Sequence, residues 1–235
     1  MIALHKVGGL SPQMRRELIA LHTEAFGDER AWIRDFLTAA RGERYLAFTE
    51  GGTLCGGMFL LSAALCGAGE RLCGDYIFAL AVRREFRGRG IATSLLAHAK
   101  ENAKDFLLLV PANAGLIPFY TARGFTAPLP GCTSADGRGI ALDLSSCPAG
   151  GDYAAVETAV RERGGLLLAA PLFAFALRER GLALRQRGKD FYAARGNEVF
   201  AAFGVSPDGV KESKALAFVK HGAPPRVLCD LLFEE

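Results

Sequence analysis

Long apolar runs are scarce in this 235-residue chain. The longest, Gly164 to Leu177, is broken by Pro171 and falls short of the roughly 20 residues that a membrane span needs. The sequence opens Met1-Ile-Ala-Leu-His-Lys6, with the basic residue after the apolar ones, so the layout of a secretory signal is missing. A cytoplasmic protein with no membrane partner is expected. There are only 4 histidines, far apart, and the 6 cysteines (Cys55, Cys66, Cys73, Cys132, Cys147, Cys229) contain no C-x-x-C pair. That spacing offers no zinc site, and no metal is expected. Cys66 and Cys73 bracket a turn and could oppose each other across a hairpin, but in a reducing compartment buried free thiols are the default. Charge of one sign is also missing: the net is +3, without the broad basic face of a nucleic-acid binder. No nucleic-acid partner is expected.

What is present is a core. Half of the residues are hydrophobic and 23% are charged, a balance that excludes intrinsic disorder. The length implies one large domain, or one ordinary domain with a smaller appendage. Ser11 before Pro12 is a helix-opening pair, followed by Met14, Leu18, Leu21 and Ala25 on one helical face. A second helix is expected from Asp28, with Trp32, Ile33, Phe36, Leu37 and Ala40 inward. Strands are expected at Tyr45–Thr49 and Leu54–Leu65, around a Gly51-Gly52 turn, and at Asp75–Val82. A helix over Ile91–Lys104, an apolar strand at Phe106–Val110 of the kind buried in a parallel pair, and a helix over Ala114–Arg123 ending at Gly124 follow. Gly139–Leu144 closes the series as a strand. Ser145 to Gly151 is the candidate boundary, which divides the chain into residues 1–148 and 149–235. Beyond it the pattern predicts helices at Asp152–Arg163 and Leu166–Arg180. Short strands are expected at Leu182–Arg187, Asp190–Ala194, Glu198–Phe203, Leu216–Val219 and Val227–Phe233. The order of elements indicates a mixed α/β sheet with a smaller C-terminal α+β region.

The segment richest in chemistry is Leu80-Ala-Val-Arg-Arg-Glu-Phe-Arg-Gly-Arg-Gly-Ile-Ala92. A strand runs into a basic loop punctuated by Gly88 and Gly90, and the loop opens straight into a helix. Glycines let a ligand approach the backbone closely, and the first N–H groups of a helix lack intrahelical partners at the positive end of its dipole. Such a place suits phosphate or pyrophosphate. Four arginines against one glutamate between Arg83 and Gly90 agree with that. The dinucleotide fingerprint is disfavoured by a missing third glycine, and the P-loop by the lack of a lysine after the glycines.

Arg87-Gly-Arg-Gly-Ile-Ala92 resembles the Q/R-x-x-G-x-G/A motif of the GNAT (Gcn5-related N-acetyltransferase) superfamily. Val110-Pro-Ala-Asn113 followed by Phe119-Tyr120-Thr-Ala-Arg-Gly-Phe125 resembles its second signature, and the resemblance as a whole extends over roughly residues 5–145. The resemblance implies a GNAT-type, largely antiparallel mixed sheet flanked by helices, with acetyl-CoA as cosubstrate. It implies that Arg87, Gly88, Arg89, Gly90, Ile91 and Ala92 grip the pyrophosphate. The backbone of Leu80, Ala81 and Val82 would pair with the pantetheine arm, Asn113 would hydrogen-bond it, and Tyr120 would be the general acid for the departing thiolate. Arg83 and Arg84 either reach the 3′-phosphate or are solvated.

One departure from the family pattern concerns the base. Some relatives carry a glutamate on the fifth strand, five residues before the asparagine, where this chain has Leu108. Asp75 or backbone-held waters are the alternatives, and Glu24, Asp28, Glu29 and Asp35 lie on or between the first two helices, which border the acceptor side in this superfamily. His22, also on the first helix, reads as a partly exposed residue. Relatives of the mycobacterial enhanced intracellular survival acetyltransferases use their own C-terminal carboxylate, and this sequence ends Leu-Leu-Phe-Glu-Glu235. The expectation is an acetyl-CoA-dependent N-acetyltransferase using direct attack in a ternary complex, with a small-molecule amine as acceptor. A non-catalytic CoA- or acyl-CoA-binding or assembly module is the alternative. Residues 149–235 would be a degenerate GNAT-like half that shapes the acceptor cleft or a homodimer interface.

Overall fold

The computed structural model describes residues 1–67, 69–130, 140–147, 150–204 and 212–220. The chain divides into two compact units, Met1–Ser62 with Asp75–Ala103, and Ala63–Gly74 with Lys104–Glu235. The expected boundary at 148/149, residue 139, the segment at 227–233 and the C-terminal Glu235 lie outside the described residues.

The first unit begins with a short strand, β1 (Ile2–Lys6), that hydropathy alone does not reveal because its five residues are mostly half-exposed. Helix α1 (Pro12–Phe26) is opened by Ser11, whose Oγ accepts the Met14 N–H at 3.1 Å. It ends at Gly27, whose φ of 77° suits glycine. Helix α2 (Arg30–Ala39) buries Ile33, Phe36 and Leu37. Strand β2 (Arg44–Glu50) turns through Gly51 and Gly52, at φ 57° and 84°, into the long β3 (Thr53–Gly67). The pairings are antiparallel, with Leu4 opposite Leu46 and Tyr45 opposite Phe59. Strand β4 (Glu70–Val82) follows, then helix α3 (Ile91–Glu101). The core here is aromatic: Phe36, Phe59 and Tyr45 are fully buried, with Phe36 packed edge-on to Phe59 at 4.9 Å and tilted against Phe78 at 5.1 Å. Burial of each such side chain contributes on the order of 2 to 3 kcal/mol. Gly56 has no room for a side chain, since a Cβ there would lie 2.8 Å from the Ala81 carbonyl and 3.2 Å from Ile91.

In the second unit, β5 (Phe106–Leu109) is buried throughout. Close approach fixes Gly74 of β4, where a Cβ would sit 2.2 Å from the Phe106 carbonyl oxygen. The helix expected from Ala114 is shorter: a 3-10 turn at Ala114–Leu116 leads into α4 (Ile117–Thr121), with Pro118 in its first turn. Then come β6 (Ala127–Pro130), β7 (Ile140–Ala141) and α5 (Tyr153–Arg163), which Asp152 caps through the Ala155 N–H at 2.9 Å.

The helix expected over Leu166–Arg180 is instead a strand and a helix, β8 (Gly165–Leu168) and α6 (Ala170–Glu179). Its first residues pair antiparallel with Ala63–Cys66 of β3, so a short run buried on all sides becomes a strand, and Pro171 finds its place in the first turn of the following helix. Strands β9 (Ala183–Arg187), β10 (Asp190–Arg195) and β11 (Glu198–Phe203) form a four-stranded sheet in the order β7-β11-β10-β9. Val156, Val160, Phe173, Phe191 and Phe203 make its core against α5 and α6. The last strand, β12 (Glu212–Val219), runs antiparallel to both β5 and β6, with Ala217 opposite Leu108 and also opposite Ala127. A segment from the C-terminal region therefore completes the sheet that β5 and β6 begin. The class is mixed α/β, with a largely antiparallel sheet flanked by helices and an additional C-terminal sheet. Among the described residues no helix is long and apolar enough to cross a membrane.

Candidate functional site

The site is built from the end of β4. Among the described residues, Ala79 is the one non-glycine with positive φ, 53°. Holding an L-residue there costs about 1 to 2 kcal/mol, and the cost is paid three residues from the end of the strand. Leu80 and Val82 are half-buried and Ala81 is buried. The Arg83 N–H donates to the Cys55 carbonyl at 2.9 Å, while its Nε donates to the Leu54 carbonyl at 2.6 Å. Its Nη2 lies 3.5 Å from the Glu17 carbonyl. Arg83 therefore fastens the strand end to β3 and α1.

Beyond it the chain makes a 3-10 turn, Arg84–Phe86, then bends through Gly88 at φ 76° and Gly90 at φ 77°. No described residue lies within 4 Å of a Cβ built on either glycine, so among the described residues the backbone faces open space. Gly90 is the residue before α3: its carbonyl accepts the Ser94 N–H at 2.9 Å, and no side chain caps the first turn. Ile91, 4% exposed, pins the helix start, while Ala92 is half-buried. The N–H groups of that turn have no helical acceptor of their own. A glycine-lined, uncapped helix start over open space suits a pyrophosphate.

The loop arginines are not idle cations. Arg87 Nε donates to the Val82 carbonyl at 3.0 Å. Arg89 Nη2 lies 2.9 Å from both carboxylate oxygens of Glu50, and its guanidinium sits 5.2 Å from the Phe86 ring centre. The Arg84 N–H donates to Glu24 at 2.8 Å. Glu17 accepts the Leu54 N–H at 2.6 Å. Burial pushes the Glu17 carboxyl up, but the Leu54 N–H, the Gln13 amide and the charges of Arg83 and Arg16 outweigh it and hold the group below its usual value. None of Glu17, Glu50 or Ala79 is signalled by the motif: two are surface-type residues distant in sequence, and the third is an ordinary strand alanine.

Asn113 and Tyr120 belong to the second unit. Asn113 precedes the 3-10 turn, its side chain makes no capping bond, and the residue is exposed. Tyr120 is 8% exposed on α4, edge-on to Phe119 at 5.1 Å and to Phe125 at 6.2 Å. Burial pushes its hydroxyl above the ordinary tyrosine value, so it holds its proton at neutral pH.

Leu108 is fully buried and offers no base. Asp75, 4% exposed, is ion-paired with Arg44. His22 is 1% exposed rather than partly exposed, packed against Phe26 and Phe59, with Asp28 Oδ2 at 3.6 Å from Nδ1. Cys55, Cys66, Cys73 and Cys147 are free thiols, and burial pushes Cys55 and Cys66 up, away from nucleophilic character. Among the described residues no cluster of three or more His, Cys, Asp or Glu side chains is placed to hold a metal ion.

Comparison with known proteins agrees with the motifs. The sequence model of the acetyltransferase (GNAT) family matches residues 11–125. A GCN5-related N-acetyltransferase from Kribbella flavida is 17% identical with a TM-score of 0.55, over 88% of this chain and 59% of that one. Eis1 from Mycobacterium abscessus is 15% identical with a TM-score of 0.55, over 82% of this chain and 53% of that one. A GCN5-related N-acetyltransferase from Anabaena variabilis is 17% identical with a TM-score of 0.51, over 83% and 51%. At such identities the likeness is one of fold, and this chain spans between half and three-fifths of the length of those proteins. No curated protein matches the sequence. By its motifs, its fold and the family match, the chain carries an acetyltransferase domain of the GNAT family over residues 11–125.

Proposed function

We propose that this protein is an acetyl-CoA-dependent N-acetyltransferase that moves the acetyl group onto a primary amine of a small molecule by direct attack in a ternary complex. The observation that carries the reading is the Gly88/Gly90 loop, with both glycines at positive φ, open space above them and an uncapped α3 behind. When bound, acetyl-CoA supplies an acetyl group activated as a thioester. The backbone N–H groups from Gly88 to Ala92 would hold the pyrophosphate, with Arg87 and Arg89 beside it. The backbone of Leu80, Ala81 and Val82, just past the Ala79 kink, would pair with the pantetheine, and the Asn113 amide would hydrogen-bond it. As the C–N bond forms and the C–S bond breaks, the Tyr120 hydroxyl would pass its proton to the departing sulfur. The amine proton would go to water, since position 108 carries no carboxylate. Such acid assistance is worth about 10- to 100-fold, the low end for general acids, because a thiolate whose thiol has a pKa of roughly 8.5 leaves readily by itself. On this reading residues 1–148 carry binding and catalysis, and residues 149–235 support them through β12.

Leu108 favours a second reading, a CoA- or acyl-CoA-binding module without turnover. Release of CoA thiol from acetyl-CoA with a panel of primary amines separates the two. The enzyme reading expects turnover with at least one amine and a kcat about 10- to 100-fold lower in Tyr120→Phe. Tight acetyl-CoA binding with no amine turned over would leave the module.

A further inference from the structure

Arg89 stands between the two loop glycines, yet its guanidinium does not reach outward to meet an anion. It is held by both oxygens of Glu50, the last residue of β2, and braced by the Phe86 ring. Both partners are about half exposed, with side-chain accessibilities of 50% and 52%, so water and ligands reach them. A carboxylate that shares one guanidinium nitrogen between its two oxygens presents to the arginine the same kind of anionic oxygen acceptors as a phosphate. It also sets a negative charge beside the place where a phosphate would enter. An exposed pair of this kind is held weakly and exchanges readily.

We infer that Glu50 is the resting counter-ion of a phosphate-exchange arm. A phosphate of the incoming ligand takes the Glu50 carboxylate's place on Arg89, so Glu50 lowers the affinity of the loop for anions and favours ligands with a phosphate within reach of Arg89. The inference rests on the proposed acetyl-CoA site and adds a residue that tunes it. The loop arginine is thus kept from holding stray anions until a ligand with the right phosphate spacing arrives.

Removing one unit charge about 6 Å from a phosphate, at the dielectric constant of water, changes binding about threefold. The Glu50→Gln variant should therefore bind acetyl-CoA about three to ten times more tightly at low ionic strength, with the gain shrinking as salt rises. Acetyl-pantetheine, which has no phosphate exchange to make, should bind both proteins alike. In Arg89→Gln the gain from Glu50→Gln should shrink to the roughly threefold of charge repulsion alone, a non-additivity that a double-mutant cycle reads directly. Comparison with 3′-dephospho-acetyl-CoA tells which phosphate is exchanged: a gain kept there assigns the pyrophosphate, and a gain lost assigns the 3′-phosphate.

Weaker or unchanged acetyl-CoA binding by Glu50→Gln would overturn the inference, because Glu50 would then be positioning Arg89 or doing nothing. Inorganic pyrophosphate separates this from the site reading. If the wild type ignores acetyl-CoA but Glu50→Gln binds pyrophosphate, the cofactor assignment fails and the exchange arm stands. If neither protein binds either probe, the exchange arm fails as well.

Discussion

Replacing Arg83 with Met keeps the length and apolar stem of the side chain but removes its donors. In the fold, Nε donates to the carbonyl of Leu54, a fully buried residue, at 2.6 Å. The variant leaves that acceptor without its charged donor, a loss of about 1.5 to 3 kcal/mol. The contact to the Glu17 carbonyl, at 3.5 Å, adds little. The backbone bond to Cys55 survives, so the strand end stays near its place. A destabilisation of about 2 kcal/mol corresponds to a Tm lower by roughly 4 to 8 °C in a chain of this size. Thermal unfolding followed by circular dichroism reads it. Titration with acetyl-CoA and with its 3′-dephospho form should show similar, small losses for both. An unchanged Tm with weakened binding of acetyl-CoA alone would refute the anchoring role and make Arg83 a ligand of the 3′-phosphate.

Three further outcomes follow from the packing and hydrogen bonds of single residues. The Tyr45 hydroxyl is fully buried with no hydrogen-bond partner among the described residues, so Tyr45→Phe should raise stability by about 1 kcal/mol, seen as a higher urea midpoint; a loss of that size would contradict it. Gly74→Ala forces a Cβ to 2.2 Å from the Phe106 carbonyl and should cost at least 3 kcal/mol, so soluble protein with unaltered Tm would count against the packing of β4 on β5. The Glu17 carboxyl is held below its usual value of 4.5, so the stability it contributes is present above that pH and is lost as pH falls through its folded value. Glu17→Gln should flatten the acid limb of a stability–pH curve below about pH 5, and a limb as steep as the wild type's would refute the assignment.

Local chemistry was legible wherever a single residue type dictates it. Ser11 and Pro12 opened α1, Gly51-Gly52 turned β2 into β3, and the Gly88/Gly90 pair marked the loop before α3. Long-range pairing was not legible. Gly165–Leu168 reads as helix or strand by hydropathy alone, and only its antiparallel partner on β3 decides for strand. The placing of β12 between β5 and β6 joins residues about a hundred positions apart, which no local pattern records. In the site the motif supplied the backbone cradle. It could not tell that Arg83 is spent on carbonyls or that Arg89 is paired with Glu50, since arginine side chains are long and their partners are chosen by tertiary neighbours.

The central claim is that the loop before α3 holds the pyrophosphate of acetyl-CoA, and calorimetric titration of the wild type, Gly90→Glu and Gly27→Glu tests it most directly. Gly27 and Gly90 share a φ of 77° and have nothing within 4 Å of a built Cβ, so the two variants match in backbone strain and in added charge. The account predicts micromolar binding by the wild type and by Gly27→Glu, and none by a folded Gly90→Glu, whose carboxylate lies where the pyrophosphate would. Equal binding by all three proteins would contradict it.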